Sequence, residues 1–127
     1  MKRQTFLTIA AALGLLFGVV ILASPDKMIE GMGTTSNPVA NVVLQALSVM
    51  LISISLITWL ARKDEGSIAL RALLLGSIVL HIAPIPIDWI AYQKGIFTQI
   101  SGFLPGTIVH ILLAAGFIYF WNKLPSQ

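Results

Sequence analysis

Apolar residues fill four long stretches of the chain, and polar residues or prolines separate them. The stretches cover about residues 5–23, 39–61, 67–83 and 105–121. A helix needs about 20 mostly apolar residues to cross the hydrocarbon core of a bilayer, so each stretch is a candidate transmembrane helix. The sequence therefore predicts an all-α fold with one domain over residues 1–127. That domain is a four-helix transmembrane bundle whose short connections make neighbouring helices antiparallel.

Helix-breaking and capping residues account for the predicted helix ends. Pro25 cannot continue the first helix, and Asn37 followed by Pro38 is typical of a helix start. The four charged residues at 62–65 cannot lie in hydrocarbon, so they end the second helix. Ser67 then suits the cap of the third helix.

The segment between the third and fourth stretches, residues 87–104, is too apolar for a solvated loop. Pro84 and Pro86 interrupt the helical pattern just before it. Two predictions stay open here. One is a short interfacial helix or a re-entrant turn, and the other is a third helix that continues past the prolines with a kink to about Gln93. Pro105 suits the first turn of the fourth helix.

The basic residues indicate the orientation of the bundle. Six of the eight lie on one side of a four-span topology, and only Lys27 and Lys94 lie on the other. The positive-inside rule therefore predicts that both termini are cytoplasmic. Aromatic residues agree, since Trp59 and Trp121 fall at the inner interface and Trp89 falls at the outer one.

A cleaved signal peptide is the alternative interpretation of the first stretch. Lys2 and Arg3 before an apolar run fit the start of that pattern. The run is long for the apolar region of a signal peptide, however, and residues 21–23 make a poor cleavage site. A transmembrane helix is therefore the prediction, and the other three spans keep their orientation in either case.

The composition agrees with a membrane location and excludes several function classes. Apolar residues make up 57% of the chain and charged residues 10%, against about 45–50% and about 25% in soluble domains. A soluble domain of this size could not bury so much apolar surface, which excludes an ordinary soluble enzyme and a disordered tail. The net charge of +3 comes from scattered residues, so nucleic acid is not a predicted partner. The absence of cysteine excludes disulfides and thiolate metal sites.

Polar residues inside the predicted spans mark the candidate site, because hydrocarbon offers them no hydrogen-bond partner. His81 and His110 both fall in the outer halves of their helices, at depths that differ by only a few ångström at about 1.5 Å rise per residue. Asn41 and Gln45 lie at a similar depth on one face of the second helix. A small residue precedes each histidine by four positions, which permits close approach of a neighbour. The predicted ligand pocket consists of Asn41, Gln45, Ser77, His81, Gly106 and His110.

Three roles stay open for the two histidines. They can stabilise helix packing through hydrogen bonds, or they can bind a small amphipathic ligand or a lipid headgroup. As axial ligands of haem b or of a pigment, His81 and His110 would instead define a membrane redox protein. A metal site is not predicted, since the spans offer only two good nitrogen ligands, and no other cofactor is predicted.

Asp88 is a candidate third group near the histidines. In a continued third helix it lies seven residues from His81 and on the same face, where it could orient the imidazole or relay a proton. The simpler interpretation is a solvated carboxylate at the membrane surface.

The first helix carries a GxxxG motif at Gly14 and Gly18. The motif favours close helix contact, either within the bundle or in a homodimer. The bilayer and a larger membrane complex are the other predicted partners. No GxSxG motif, phosphate-binding loop or HExxH sequence is present, so no catalytic residue is predicted and an enzyme is not expected.

The layout of the chain resembles that of a known group. The first helix ends in ASPD at residues 23–26, the second ends in WLAR at 59–62, and the third begins with ALRA at 69–72. With four short spans and a glycine-bearing first helix, this pattern resembles small bacterial membrane proteins of the DoxX-like group. The resemblance implies a four-helix bundle in a bacterial cytoplasmic membrane, and it carries over no catalytic residue.

These features predict a non-enzymatic membrane protein. It would be an accessory subunit or a ligand- or lipid-binding protein, with a polar pocket in the outer half of the bundle. The alternatives are the haem-based redox protein and a small oligomeric transporter. A transporter predicts a water-accessible path around Gln45 and His81.

Overall fold

The computed structural model describes residues 1–125, which form helices joined by short turns. The helices are α1 Arg3–Ala23, α2 Pro25–Gly31, α3 Pro38–Ala61, α4 Ile68–Ile82, α5 Pro84–Gln93 and α6 Ile100–Asn122. Four helical segments are long and apolar enough to cross a membrane, namely α1, α3, α4 together with α5, and α6. The predicted all-α fold with four candidate spans is confirmed.

The predicted caps of α3 and α4 are present. The Asn37 side chain accepts a hydrogen bond from the Ala40 N–H at 2.9 Å, and Pro38 occupies the first turn of α3. The Ser67 hydroxyl accepts one from the Leu70 N–H at 3.1 Å. Each cap satisfies a backbone donor that the first turn of a helix leaves without a partner, which fixes where the two helices begin.

The third span continues past its two prolines. Ala83, between α4 and α5, keeps helical angles of φ −61° and ψ −37°. The two helices therefore form one candidate span over Ile68–Gln93, interrupted where the prolines supply no N–H donor. Of the two predictions for this segment, the structure has the third helix continuing past the prolines to Gln93, and the connection that remains is residues 94–99.

The last helix begins earlier than predicted. It starts at Ile100, so Pro105 lies inside α6 and not in its first turn. Proline there removes one backbone bond, to the carbonyl of Ser101, close to the start of the helix. The prediction that this helix begins near Pro105 was wrong, because hydropathy locates the apolar centre of a helix better than its end.

The GxxxG motif packs α1 closely against α3. A Cβ atom added at Gly14 would overlap the Ser55 Oγ, and one added at Gly18 would lie 3.2 Å from the Ser48 carbonyl oxygen. The two glycines therefore let the α3 backbone approach α1. Of the two roles predicted for the motif, the structure has contact within the bundle, and α3 covers the face of α1 that a homodimer through these glycines would use.

Apolar side chains join α1, α4 and α6 in the half of the bundle nearest Arg3. Leu7 of α1 and Leu74 of α4 are fully buried. Phe6 of α1 contacts Phe117 of α6, with ring centroids 4.9 Å apart. This cluster is the core of the protein, and it holds the α1–α3 pair against the α4–α6 pair.

Large apolar side chains also cover the outside of the helices. Leu16, Leu60 and Leu112 are 61%, 77% and 66% exposed. Soluble proteins rarely expose apolar patches of more than a few hundred Å², whereas lipid tails solvate such a surface. The outer surface is therefore compatible with direct contact with a bilayer.

Hydrogen bonds join the turn after the short helix α2 to the connection at residues 94–99, at the end of the bundle away from Arg3. The N–H groups of Thr98 and Gln99 both donate to the Met32 carbonyl, at 3.0 and 3.1 Å. The Thr98 hydroxyl donates to the Gly33 carbonyl at 2.6 Å. Gly33 has a φ of 78°, a left-handed conformation that glycine adopts without strain. These bonds fix α2 across the start of α6.

The loop between α3 and α4 is organised by Asp64. Its carboxylate accepts hydrogen bonds from the Gly66 N–H at 2.9 Å, from the Ser67 N–H at 2.9 Å and from the Ser67 hydroxyl at 2.5 Å. The Arg3 guanidinium donates to the Asp64 backbone carbonyl. The bond from Gly66, followed by those from Ser67, lowers the pKa of Asp64 from 3.8 to about 2.

The lowered pKa of Asp64 predicts a loss of stability in acid. Because the folded-state pKa lies below the unfolded value of 3.8, the contribution of Asp64 is complete above that value and is lost as the pH falls toward 2. We expect the thermal unfolding midpoint of Asp64→Asn to fall less over this pH range than that of the wild type. Glu65→Gln removes a neighbouring carboxylate that accepts none of these bonds, and it should keep the wild-type pH dependence. An Asp64→Asn profile that follows the wild type would contradict this prediction.

Candidate functional site

A cavity of about 150 Å³ lies among α1, α3, α4 and α6. Most of its wall is apolar and includes Phe17 of α1, Leu51 of α3 and Leu113 of α6. Met28 of α2 contributes at one edge. A cavity of about 150 Å³ with apolar walls stays dry in a protein and binds molecules such as benzene. The cavity is therefore large enough for one six-membered ring or a short chain.

Three hydroxyl groups in the cavity wall are bonded to their own helices. Ser55 and Thr58 of α3 and Ser77 of α4 each donate to the carbonyl four residues earlier, at 2.7–2.8 Å. Such local bonds use the one donor that a hydroxyl has. The strongest polar groups left for a ligand are therefore the two imidazoles in the wall.

His81 of α4 and His110 of α6 are joined by a hydrogen bond. Their Nδ1 atoms are 2.8 Å apart, and their ring centroids are 5.1 Å apart with the ring planes at 46°. Phe117 stacks on His81, with ring centroids 5.5 Å apart and planes at 14°. Neither Nε2 atom forms a hydrogen bond with any residue in the described part of the chain. The pair therefore bridges α4 and α6 and keeps one ring nitrogen of each histidine free.

The structure brings together four of the six residues predicted for the pocket. Ser77, His81, Gly106 and His110 all line the cavity, whereas the other two, Asn41 and Gln45, do not.

The two residues outside the cavity have other partners. The Asn41 side chain accepts a hydrogen bond from the Ser36 hydroxyl at 2.7 Å, and the Gln45 amide donates to the Leu22 carbonyl at 3.3 Å. The part of α3 that faces the cavity lies further along the helix, from Leu51 onward. Asn41 and Gln45 therefore lie outside this cavity, because residues at a similar depth can face different sides of the bundle.

The sequence reasoning missed Phe117 and the contribution of α1. Phe117 follows His110 by seven residues, a spacing that puts both on one face of a helix and could have marked it as a neighbour of the pair. Gly14 and Phe17 of α1 line the cavity, but they carry no polar group that would have distinguished them from other apolar positions.

The contact between the imidazoles bears on the haem and metal alternatives. Axial haem ligands lie on opposite faces of the macrocycle, so ligation by both His81 and His110 requires the two rings to separate. Among residues 1–125 there is no group of three His, Asp or Glu side chains that could hold a metal ion.

Asp88 lies on α5, the part of the third span that follows the two prolines. A shared helix face for Asp88 and His81 stays a prediction. Asp88 also lines a second cavity of about 370 Å³, together with apolar side chains of α2 and α3.

The fold and the cavity define a small all-helical protein with four candidate membrane spans and a paired-histidine cavity between them. Comparison of the chain with protein-family models, with curated proteins and with solved structures finds no match.

Proposed function

We propose that this protein is an integral membrane protein that binds a small apolar ligand in the cavity between its helices. The observation that carries the proposal is the cavity, whose wall is apolar except for the hydrogen-bonded imidazoles and three hydroxyls already bonded to their helices. Ligand sites are typically concave and apolar, with a few polar groups that orient the ligand. The proposed role is binding, in a ligand- or lipid-binding protein or in an accessory subunit of a larger membrane complex.

The proposed topology has antiparallel neighbouring helices and both termini in the cytoplasm. Gly14 lies against Ser55 and Gly18 lies against Ser48, so later positions of α1 meet earlier positions of α3, which supports antiparallel pairing. The basic residues support the cytoplasmic termini. The resemblance in layout to small proteins of the DoxX-like group supports a bacterial cytoplasmic membrane.

The substitution Gly106→Leu is expected to weaken ligand binding. Gly106 lines the cavity, and a Cβ atom added there meets nothing within 4 Å, so a larger side chain enters the cavity without disturbing a helix contact. Fluorobenzene is a suitable probe, because it has the size of one ring and is followed by fluorine NMR in nanodiscs. The wild type should bind it saturably, and Gly106→Leu should weaken that binding at least about tenfold.

Gly76→Leu is the matched control for this experiment. A Cβ atom added at Gly76 also meets nothing within 4 Å, but Gly76 does not line the cavity. This variant should bind fluorobenzene as the wild type does, and empty nanodiscs give the partition of the probe into lipid. Identical isotherms for the wild type and both variants would show that the proposed function is wrong.

A further inference from the structure

We infer that the second cavity holds one acyl chain of a membrane lipid whose headgroup carries a primary ammonium, and that the Asp88 carboxylate accepts a hydrogen bond from that ammonium. This cavity is a groove between α2, α3 and α5, and it shares no lining residue with the paired-histidine cavity. The inference is therefore independent of the proposed function. It is carried by the shape of the groove, by its exposed wall and by the one carboxylate that lines it.

The groove is elongated, and its wall is apolar apart from Asp88. On α3 it is lined by Ala40, Val43, Leu44 and Leu47, and apolar side chains of α2 and of the connection at residues 94–99 form the rest. The four α3 residues follow the spacing i, i+3, i+4 and i+7, so they form one stripe that is about 10 Å long. The volume of about 370 Å³ lies in the usual range for ligand sites, about 300–1,000 Å³. This shape suits a chain better than a single ring.

The α3 wall of the groove is open to the outside of the bundle. Val43 and Leu47 line the groove and are nevertheless 53% and 54% exposed. Exposed apolar side chains on a membrane span are in contact with lipid tails. A lipid chain can therefore enter the groove sideways, without leaving the hydrocarbon phase, and the bilayer is the source of the occupant that we infer.

Asp88 lies near the end of its span, at a depth that suits a lipid headgroup. The span ends at Gln93, five residues and about 8 Å beyond Asp88 along the helix axis. Trp89, the next residue, is 50% exposed and is of the type that is enriched where membrane meets water. The α3 stripe begins near the start of its own helix and runs inward from there. A lipid with its headgroup at Asp88 therefore has its chain along the stripe.

The Asp88 carboxylate has no hydrogen-bond donor among residues 1–125. Its side chain is half-buried, and it forms neither a hydrogen bond nor an ion pair with any residue in this part of the chain. A carboxylate beside apolar side chains has lost part of its hydration, which is costly unless a partner of opposite charge replaces it. A primary ammonium supplies that charge together with three N–H donors, and such charge-assisted bonds are strong.

Three phospholipids with identical acyl chains test this inference. Phosphatidylethanolamine has a primary ammonium, phosphatidylcholine has a methylated nitrogen without N–H donors, and phosphatidylglycerol has no amine. Native mass spectrometry of the protein, released from nanodiscs that hold the three lipids in equal amounts, measures which lipid stays bound. The wild type should retain phosphatidylethanolamine at least about tenfold over each of the others, the effect of about one hydrogen bond to a charged group. Asp88→Asn keeps the size of the side chain and should retain the three lipids alike.

Matched variants separate the groove from the rest of the surface. Asp26→Asn makes the same change at an exposed carboxylate of α2 that does not line the groove, and it should keep the preference. Ala40→Leu fills the groove and should lower the retention of phosphatidylethanolamine at least about fivefold. Ala46→Leu is its control, because Ala46 is exposed on the same helix and lines neither cavity.

Three results would overturn the inference. They are equal retention of the three lipids by the wild type, a preference that persists in Asp88→Asn, and equal retention of phosphatidylethanolamine by Ala40→Leu and Ala46→Leu. None of them changes the expected binding of fluorobenzene in the paired-histidine cavity, so a failure of this inference and a failure of the proposed function are distinguishable.

Discussion

Phe117→Ala is expected to lower the free energy of unfolding by about 3 kcal/mol. The Phe117 ring is 2% exposed, and it contacts Phe6 of α1 and His81 of α4 at centroid distances of 4.9 and 5.5 Å. Its removal leaves a void where three helices meet, and the surrounding side chains relax only in part. We expect the lower end of the range for buried phenylalanines, because the loss in a membrane is one of packing and not of transfer from water.

Ile118→Ala is the matched control for this substitution. Ile118 is the next residue of α6 and is 39% exposed on the outside of the bundle. Lipid can occupy the space that its side chain leaves, so the free energy of unfolding should change by less than about 0.5 kcal/mol. Titration with SDS in mixed micelles, followed by tryptophan fluorescence, measures both variants. Equal losses in the two would mean that Phe117 is not a packing centre.

Gly102→Ala is expected to lower the free energy of unfolding by about 2 kcal/mol. A Cβ atom at position 102 would lie 2.6 Å from the carbonyl carbon of Gly31 and 2.7 Å from the Cα of Met32. Both are backbone atoms, which cannot rotate away as a side chain can, so α2 must move. That movement strains the bonds that the N–H groups of Thr98 and Gln99 make to Met32.

Gly106→Ala is the control on the same helix, one turn further on. An added Cβ atom there meets nothing within 4 Å, so its stability should stay within about 0.5 kcal/mol of the wild type. The same SDS titration compares the two variants. If Gly102→Ala is as stable as Gly106→Ala, α2 is not held against α6 by this close approach.

Much of the helical layout could be predicted because it depends on local properties of the chain. The caps at Asn37 and Ser67 involve partners only three residues away, and these appear as predicted. The start of α6 was placed too late. Pro105 lies inside the helix, where its missing N–H removes only one backbone hydrogen bond close to the first turn. The path after Pro84 stayed open, because prolines in a membrane helix are compatible with both a kink and a break.

The candidate site could be predicted only in part. His81 and His110 stood out because a polar side chain in hydrocarbon needs a partner, and the structure places them in direct contact. Asn41 and Gln45 satisfied the same criterion, yet they bond to groups near the ends of α1 and α3. Depth along a helix follows from residue number, but the direction in which each helix faces depends on its neighbours.

The sequence by itself determined the class of the protein: its apolar stretches have the length of a membrane span, and its polar residues and prolines mark their ends. Only the tertiary structure decided that α3 covers Gly14 and Gly18 and which side chains line the cavity. The physical reason is the range of the interactions. Hydropathy and capping act within one helix, whereas the rotation of each helix and the space between helices are set by contacts among residues far apart in the chain.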